Sequence, residues 1–173
     1  LAPHDISIIL YLLGEEPRYV SAVGESHINP AVEDIAIISM RFTNNLIAFV
    51  ASSWLDPDKI RKMTVVGSKK MLVYDDVQVS EKIRIYDKSV EKPKHYDTFA
   101  EFPYSYKYGD VVIPMISGEE PIRTELAHFM ECILSDTTPL SDGINGLKVV
   151  KILAAAQESL DQGNNQVKIK PSR

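Results

Sequence analysis

Most of the features that announce a chemistry are scarce or missing in this chain. It carries one cysteine, Cys132, so no intrachain disulfide can form; a lone thiol suits a reducing, cytoplasmic setting and usually behaves as a small buried hydrophobe. No unbroken apolar run approaches the roughly 18 residues a membrane helix needs. Positive charge is not in surplus: 19 Lys and Arg stand against 24 Asp and Glu, a formal net charge of -5. A nucleic-acid face must neutralise phosphates, so the balance argues against one, although a local basic patch could still meet an anionic small molecule. The four histidines, His4, His27, His95 and His128, show no ligand spacing with one another or with Cys132, and no metal site is expected. The glycine-rich strand-to-helix turn that cradles a dinucleotide is missing, as is the P-loop lysine motif.

What remains is an ordinary globular composition: 173 residues, 45% hydrophobic and 25% charged, enough for one domain with its own core. Residues 3–13 read PHDISIILYLL and stop at Gly14. Pro3 and Asp5 suit a first turn and Gly14 a left-handed stop, so a helix is expected over a competing strand. Apolar residues surround it, which predicts burial on most sides. Strands are expected at 18–26, 34–42, 46–54, 60–66, 70–74 and 82–86, with Gly24 at a bulge or edge, Asn44-Asn45 in a tight turn and Gly67-Ser68-Lys69 in a second one. Residues 87–109 are rich in tyrosine and turn formers and read as a long excursion, with at most a short strand. Two helices follow, 121–134 with Ile122, Leu126, Phe129, Met130 and Ile133 on one face, and 144–160, capped by Ser141 or Asp142, with Lys148, Lys151, Ala155 and Glu158 as its outer stripe. A last strand is expected at 167–170.

The strands at 34–42 and 46–54 are apolar on both faces. Ile35 and Ile37 oppose Ile38, Met40 and Phe42, while Ile47 and Phe49 oppose Ala48 and Val50. Simple alternation would leave one face wet. The expected fold is therefore α+β, a large mainly antiparallel open sheet with helices on one face. The second face is expected to meet another domain or subunit.

Four residues are candidates for chemistry. His4 lies in the first turn of the 3–13 helix, sharing its side with Ser7 and Tyr11. An imidazole there can serve as a base or hydrogen-bond donor, or merely cap an interface helix. Lys59 and Arg61 share a face of the strand emerging after Asp56-Pro57; they could clamp a carboxylate or diphosphate, or solvate an edge. Trp54 could stack on a sugar or base, or fill the core. His128 and Cys132 read as structural residues of their helix.

Three segments, PHDISIILYLLGEEP at 3–17, SSWLDPDKIRKMTVVGSKKMLVYDD at 52–76 and PLSDGINGLKVVKILAAAQES at 139–159, resemble the C-terminal domain of the Gfo/Idh/MocA oxidoreductases over nearly the whole chain. Within that family the resemblance leans toward sugar-nucleotide 3-dehydrogenases acting on UDP-N-acetylglucosamine-type uronic acids. It implies a substrate-binding and oligomerisation domain spanning 1–173, partnered by an N-terminal Rossmann domain that this chain does not contain. It also implies NAD or NADP as cofactor of the full-length enzyme, none bound by the chain alone, and an isolated chain that is catalytically silent. His4 matches the histidine of the family's catalytic signature; the aspartate four residues earlier would fall upstream of Leu1. Ser7 stands where many members have a second aspartate, so no role is carried to the adjacent Asp5. Glu91-Lys92-Pro93 matches the family's Glu-Lys-Pro triplet in letters but falls on the wrong side of His4, and reads as chance. The expected substrate is an anionic sugar or UDP-sugar, with a simple polyol or free sugar as the alternative. A non-enzymatic oligomerisation scaffold is the competing reading.

Overall fold

The computed structural model of the protein describes residues 2–30, 32–91, 105–116 and 118–170. The chain divides into two compact parts, Leu1–Asp56 with Ile122–Arg173, and Pro57–Pro121. The strands expected in one large sheet fall into two four-stranded antiparallel sheets, one in each part.

In the first part, α1 (Ala2–Leu13) leads into β1 (Tyr19–Glu25), β2 (Ile35–Arg41) and β3 (Ile47–Ser53), and the chain returns through α2 (Pro121–Ser135), α3 (Gly143–Asp161) and β8 (Val167–Lys168). The sheet order is β3-β2-β1-β8. The β2–β3 turn uses Asn44 and Asn45 at positive φ, as their short polar side chains allow. Gly24 sits in unbroken register opposite Ala36, so it makes no bulge. An added Cβ there would lie 3.0 Å from the Ile35 carbonyl and 3.1 Å from Glu33 Cγ; glycine is present because the chain passes closely.

The predicted alternation is found. Val20, Ala22, Ile38, Met40 and Val50 are buried against Ile6 and Leu10 of α1 and Val149, Ile152, Ala155 and Ala156 of α3. Ile35, Ile37, Ile47 and Phe49 point the other way and are exposed. Ala155 belongs to this core, not to an outer stripe with its neighbouring lysines: the true buried row is Val149, Ile152, Ala156 and Ser159, with Ala155 alongside. Asp142 is the cap of α3, its carboxylate accepting from the Asn145 N–H at 2.7 Å. Ser159 solves a local problem of the short β8. That strand pairs with β1 only at Tyr19 and Val20, which leaves the Ala22 N–H without a strand partner. Ser159 Oγ accepts it at 2.9 Å and donates to the Asn165 carbonyl at 2.6 Å. An unmet buried donor costs about 1–3 kcal/mol.

Two helix faces are left exposed, that of α1 against the expectation of burial. On α1 only Ile6 and Leu10 are buried, while Ile8, Tyr11 and Leu12 are exposed. On α2 the apolar row Ile122, Leu126, Phe129, Met130 and Ile133 is exposed, and among its described residues only Cys132 is buried. Hydrophobic periodicity marks what needs covering; it does not say that the cover lies in the same chain.

The second part is an antiparallel meander of β4 (Lys62–Val66), β5 (Met71–Asp75), β6 (Ile83–Glu91) and β7 (Ser105–Val112), in that spatial order. The segment read as an excursion at 87–109 contributes the end of β6 and most of β7, with residues 92–104, including Lys92 and Pro93, outside the described ones. A register shift bulges β7, where Gly109 and Asp110 together lie opposite the single Asp87 of β6. Gly109 accommodates that bulge, since a Cβ there would meet Asp87 Oδ2 at 2.5 Å. Among the described residues of this part only Ser89 is buried. No helix among the described residues is long and apolar enough to cross a membrane.

Candidate functional site

The first turn of α1 places His4 on an exposed face that continues through Ile8, Tyr11 and Leu12. The ring is not sealed inside the domain. Just beyond the other end of the helix, Glu15 accepts a hydrogen bond of 2.5 Å from Thr43 Oγ1 in the β2–β3 turn. The helix contacts β3; at the end of the sheet opposite the β2–β3 turn, β3 finishes at Ser53 and β1 at Glu25.

That sheet end carries two further polar features. Ser52 Oγ is buried with no hydrogen-bond partner among the described residues. Beside it, the β1–β2 connection is closed by Asp34, a buried carboxylate. Its Oδ2 accepts from the backbone N–H groups of His27 at 2.6 Å and Ile28 at 2.8 Å, and its Oδ1 meets His27 Nδ1 at 2.8 Å. The Asp34 N–H donates to the Glu25 carbonyl, and the Asp34 carbonyl accepts from Trp54 N–H at 2.9 Å. Trp54 is therefore anchored by its backbone at this corner, while its side chain is exposed and not part of the core.

The structure thus gathers His4 and Trp54 into the first part and leaves Lys59 and Arg61 in the second. The two cations precede β4 instead of sharing a strand face, because pairing begins only at Lys62. Arg61 is already engaged: its guanidinium lies 3.8 Å from Asp76, which also receives Tyr74 Oη at 2.9 Å and faces Lys82 Nζ at 3.6 Å. The Tyr74 hydroxyl and the cations of Lys82 and Arg61 hold the Asp76 carboxyl below its usual range, against partial desolvation. His128 is structural. Its Nε2 accepts from the Leu140 N–H at 3.1 Å, tying α2 to the loop before α3, so that lone pair is not available to activate Cys132, 3.6 Å away.

Sequence reasoning passed over the His27–Asp34 pair. Its signal was an aspartate closing an Asn-Pro-containing loop seven residues after a histidine, which reads as an ordinary connector. The hydrogen bond and charge of Asp34 raise the His27 ring above its ordinary 6.5, helped by Glu25. The reciprocal bond from His27 lowers Asp34 below 3.8, with its backbone donors adding to the effect. The His27 contribution to stability is full below 6.5 and fades as pH rises through the raised value; the Asp34 contribution holds above 3.8 and fades as pH falls through the lowered one. The corner is therefore tightest between those two ordinary values. In an NMR titration, His27 is expected to titrate above 6.5 and to fall back toward it in Asp34→Asn; an unmoved midpoint in that variant would show that the pair does not form in solution.

Among the described residues there is no glycine-rich strand-to-helix cradle for a dinucleotide. Their strands pair antiparallel throughout, and no described glycine opens a helix after a parallel strand. Among the described residues no group of three or more His, Cys, Asp or Glu is placed to hold a metal.

Comparison with solved structures places this architecture. UDP-N-acetylglucosamine 3-dehydrogenase GnnA from Acidithiobacillus ferrooxidans superposes with a TM-score of 0.72 at 19% identity, covering 95% of this chain and 47% of its own. Aldose-aldose oxidoreductase from Caulobacter crescentus gives 0.70 at 22%, covering 97% and 46%. The WlbA dehydrogenase from Bordetella pertussis, solved with NADH and UDP-GlcNAcA, gives 0.66 at 17%, covering 99% and 44%. At such identities the likeness is one of fold, and the chain spans a little under half the length of each. No curated protein matches it by sequence. The model of the oxidoreductase family's C-terminal alpha/beta domain, GFO_IDH_MocA_C, matches residues 1–169, and the chain belongs to that family.

Proposed function

We propose that this chain is the substrate-binding, catalytic-side domain of a sugar or sugar-nucleotide dehydrogenase that uses NAD or NADP. The observation that carries the reading is the exposed His4 in the first turn of α1, within a family match over residues 1–169; the resemblance of the opening segment equates it with the family's catalytic histidine. In such a reaction a ring carbon bearing a hydroxyl gives up a hydride to the nicotinamide, and the hydroxyl proton must leave with it. His4 is the group of this chain that would receive or orient that proton. Trp54 offers an exposed indole face to a sugar ring. In the second part, taken by itself, Lys59 and Arg61 are cations of the kind that take a carboxylate or diphosphate, Arg61 by releasing its loose contact with Asp76.

The dinucleotide site would come from an N-terminal cofactor domain outside these residues. That domain is also the natural cover for the exposed α1 face around His4. The apolar outer face of the first sheet suits a second copy of the chain, which makes the protein a homo-oligomer. The test is an assay of the full-length protein for NAD and NADP reduction with UDP-sugar uronates, free sugars and polyols, alongside residues 1–173 alone. Sugar-dependent reduction by the full-length protein and none by the isolated chain is expected. Silence of the full-length protein across the whole panel would defeat the reading.

A further inference from the structure

Asp34 works harder than loop closure requires. Its Oδ2 alone accepts the backbone N–H groups of His27 and Ile28, which is enough to fix the turn. Its Oδ1 is spent on the His27 ring. Being ionised, that oxygen can only accept, so the proton of the pair sits on Nδ1 and Nε2 faces away. The His27 side chain remains 59% exposed, and among the described residues no hydrogen-bond partner meets Nε2. The same Asp34 fixes Trp54 through its carbonyl, and the Trp54 residue is 77% exposed. One buried residue thus holds an oriented imidazole and an exposed tryptophan at one corner of the sheet.

We propose that His27 is a binding residue that hydrogen-bonds through Nε2 to a hydroxyl of the sugar ring whose apolar face rests on Trp54. This rests on the sugar-dehydrogenase reading and adds a contact to it. The charge of the corner selects the ligand group. With a neutral ring the pair carries the negative charge of Asp34, and with a protonated ring it is neutral overall; Glu25 adds negative charge nearby in both cases. An incoming carboxylate or phosphate gains nothing from such a pair. A hydroxyl both donates and accepts, so it can meet Nε2 in either protonation state. The apolar flank of a pyranose and an aromatic face are matching surfaces. The anionic part of a sugar nucleotide must then be read elsewhere.

The test uses the full-length protein labelled at the histidine nitrogens, with NAD present. The His27 Nε2 resonance is followed as UDP-N-acetylglucosamine, levoglucosan or glucose is added, with UDP as the control lacking a sugar. A shift with at least one sugar and none with UDP is expected. For the sugar turned over fastest, His27→Ala is expected to raise KM about ten-fold, the size of one lost hydrogen bond. Its kcat and its KM for NAD should stay within about two-fold, and His27→Gln should recover part of the loss. A merely loop-closing histidine would leave the sugar KM alone. An Nε2 signal that moves with none of the three sugars, or a His27→Ala KM equal to that of the wild type, overturns the proposal. A protein whose Nε2 responds to sugar but which reduces no cofactor would overturn the dehydrogenase reading and leave this contact standing.

Discussion

Replacing His4 by alanine in the full-length protein is expected to lower kcat by roughly 10²–10⁴-fold, the usual contribution of a positioned acid–base group. KM should change little, because a group that handles the hydroxyl proton acts mainly in the transition state. Folding should be spared. His4 is exposed in the first turn of α1, and the helix is held to the core by Ile6 and Leu10, further along. The melting temperature of the variant is therefore expected to match that of the wild type, which separates loss of chemistry from loss of structure. His27→Ala offers the internal contrast, since it is expected to act on sugar KM and not on turnover. An unchanged kcat in His4→Ala would remove this histidine from the mechanism. With an active wild type, it would leave the proton to groups outside this chain.

The regular elements were largely legible because they obey simple periods. In β2 and β3 the two-residue alternation separates Ile38, Met40 and Val50 from Ile35, Ile37 and Phe49, and burial follows the same division. Asn44-Asn45, Gly14 and Asp142 mark turns, a stop and a cap through chemistry that needs no partner further along the chain. What was not legible depends on contacts distant in sequence. The β7 segment, SYKYGDVV, has the composition of a turn-rich loop; it is a strand because β6 pairs with it across a bulge that Gly109 permits. Ala155 looked like part of an outer row because lysines flank it at helical spacing, but the helix is rotated by the demands of Ile152 and Ser159. In the candidate site, His4 stood out by its place in a helix and by family resemblance. The Asp34 corner did not, because only the folded loop brings Asp34 back onto His27 and Trp54. Lys59 and Arg61 stood out by density of charge, and the structure adds what density could not show, that Asp76 already engages Arg61.

Phe49→Asp is expected to break the proposed self-association while leaving the subunit folded. Phe49 is 74% exposed on the outer face of the first sheet, opposite Ser39 in the register, with Ile37 and Ala51 paired in the next row and Arg41 and Ile47 in the one before. Tyr19 and Val23 of β1 extend the same face, and the charged Arg41 and Glu25 lie toward its two ends. An apolar centre between polar ends is the pattern of an interface more than of a wet sheet. In a two-fold contact the same residue is present twice. Losing the burial of two Phe side chains, at about 1.5–3 kcal/mol each, weakens association by roughly 10²–10⁴-fold, before the cost of desolvating two carboxylates is added. The fold should tolerate the change, since the core of this sheet is built on its opposite face from Val20, Ile38, Met40 and Val50. Sedimentation of the full-length protein is expected to show an oligomer for the wild type and a shift to monomer for Phe49→Asp, with unchanged circular dichroism. A wild type that sediments as a monomer throughout would mean that the outer sheet face is covered within its own chain. An oligomer indifferent to Phe49→Asp would move the contact elsewhere, with the exposed row of α2, from Ile122 to Ile133, as the next surface to test.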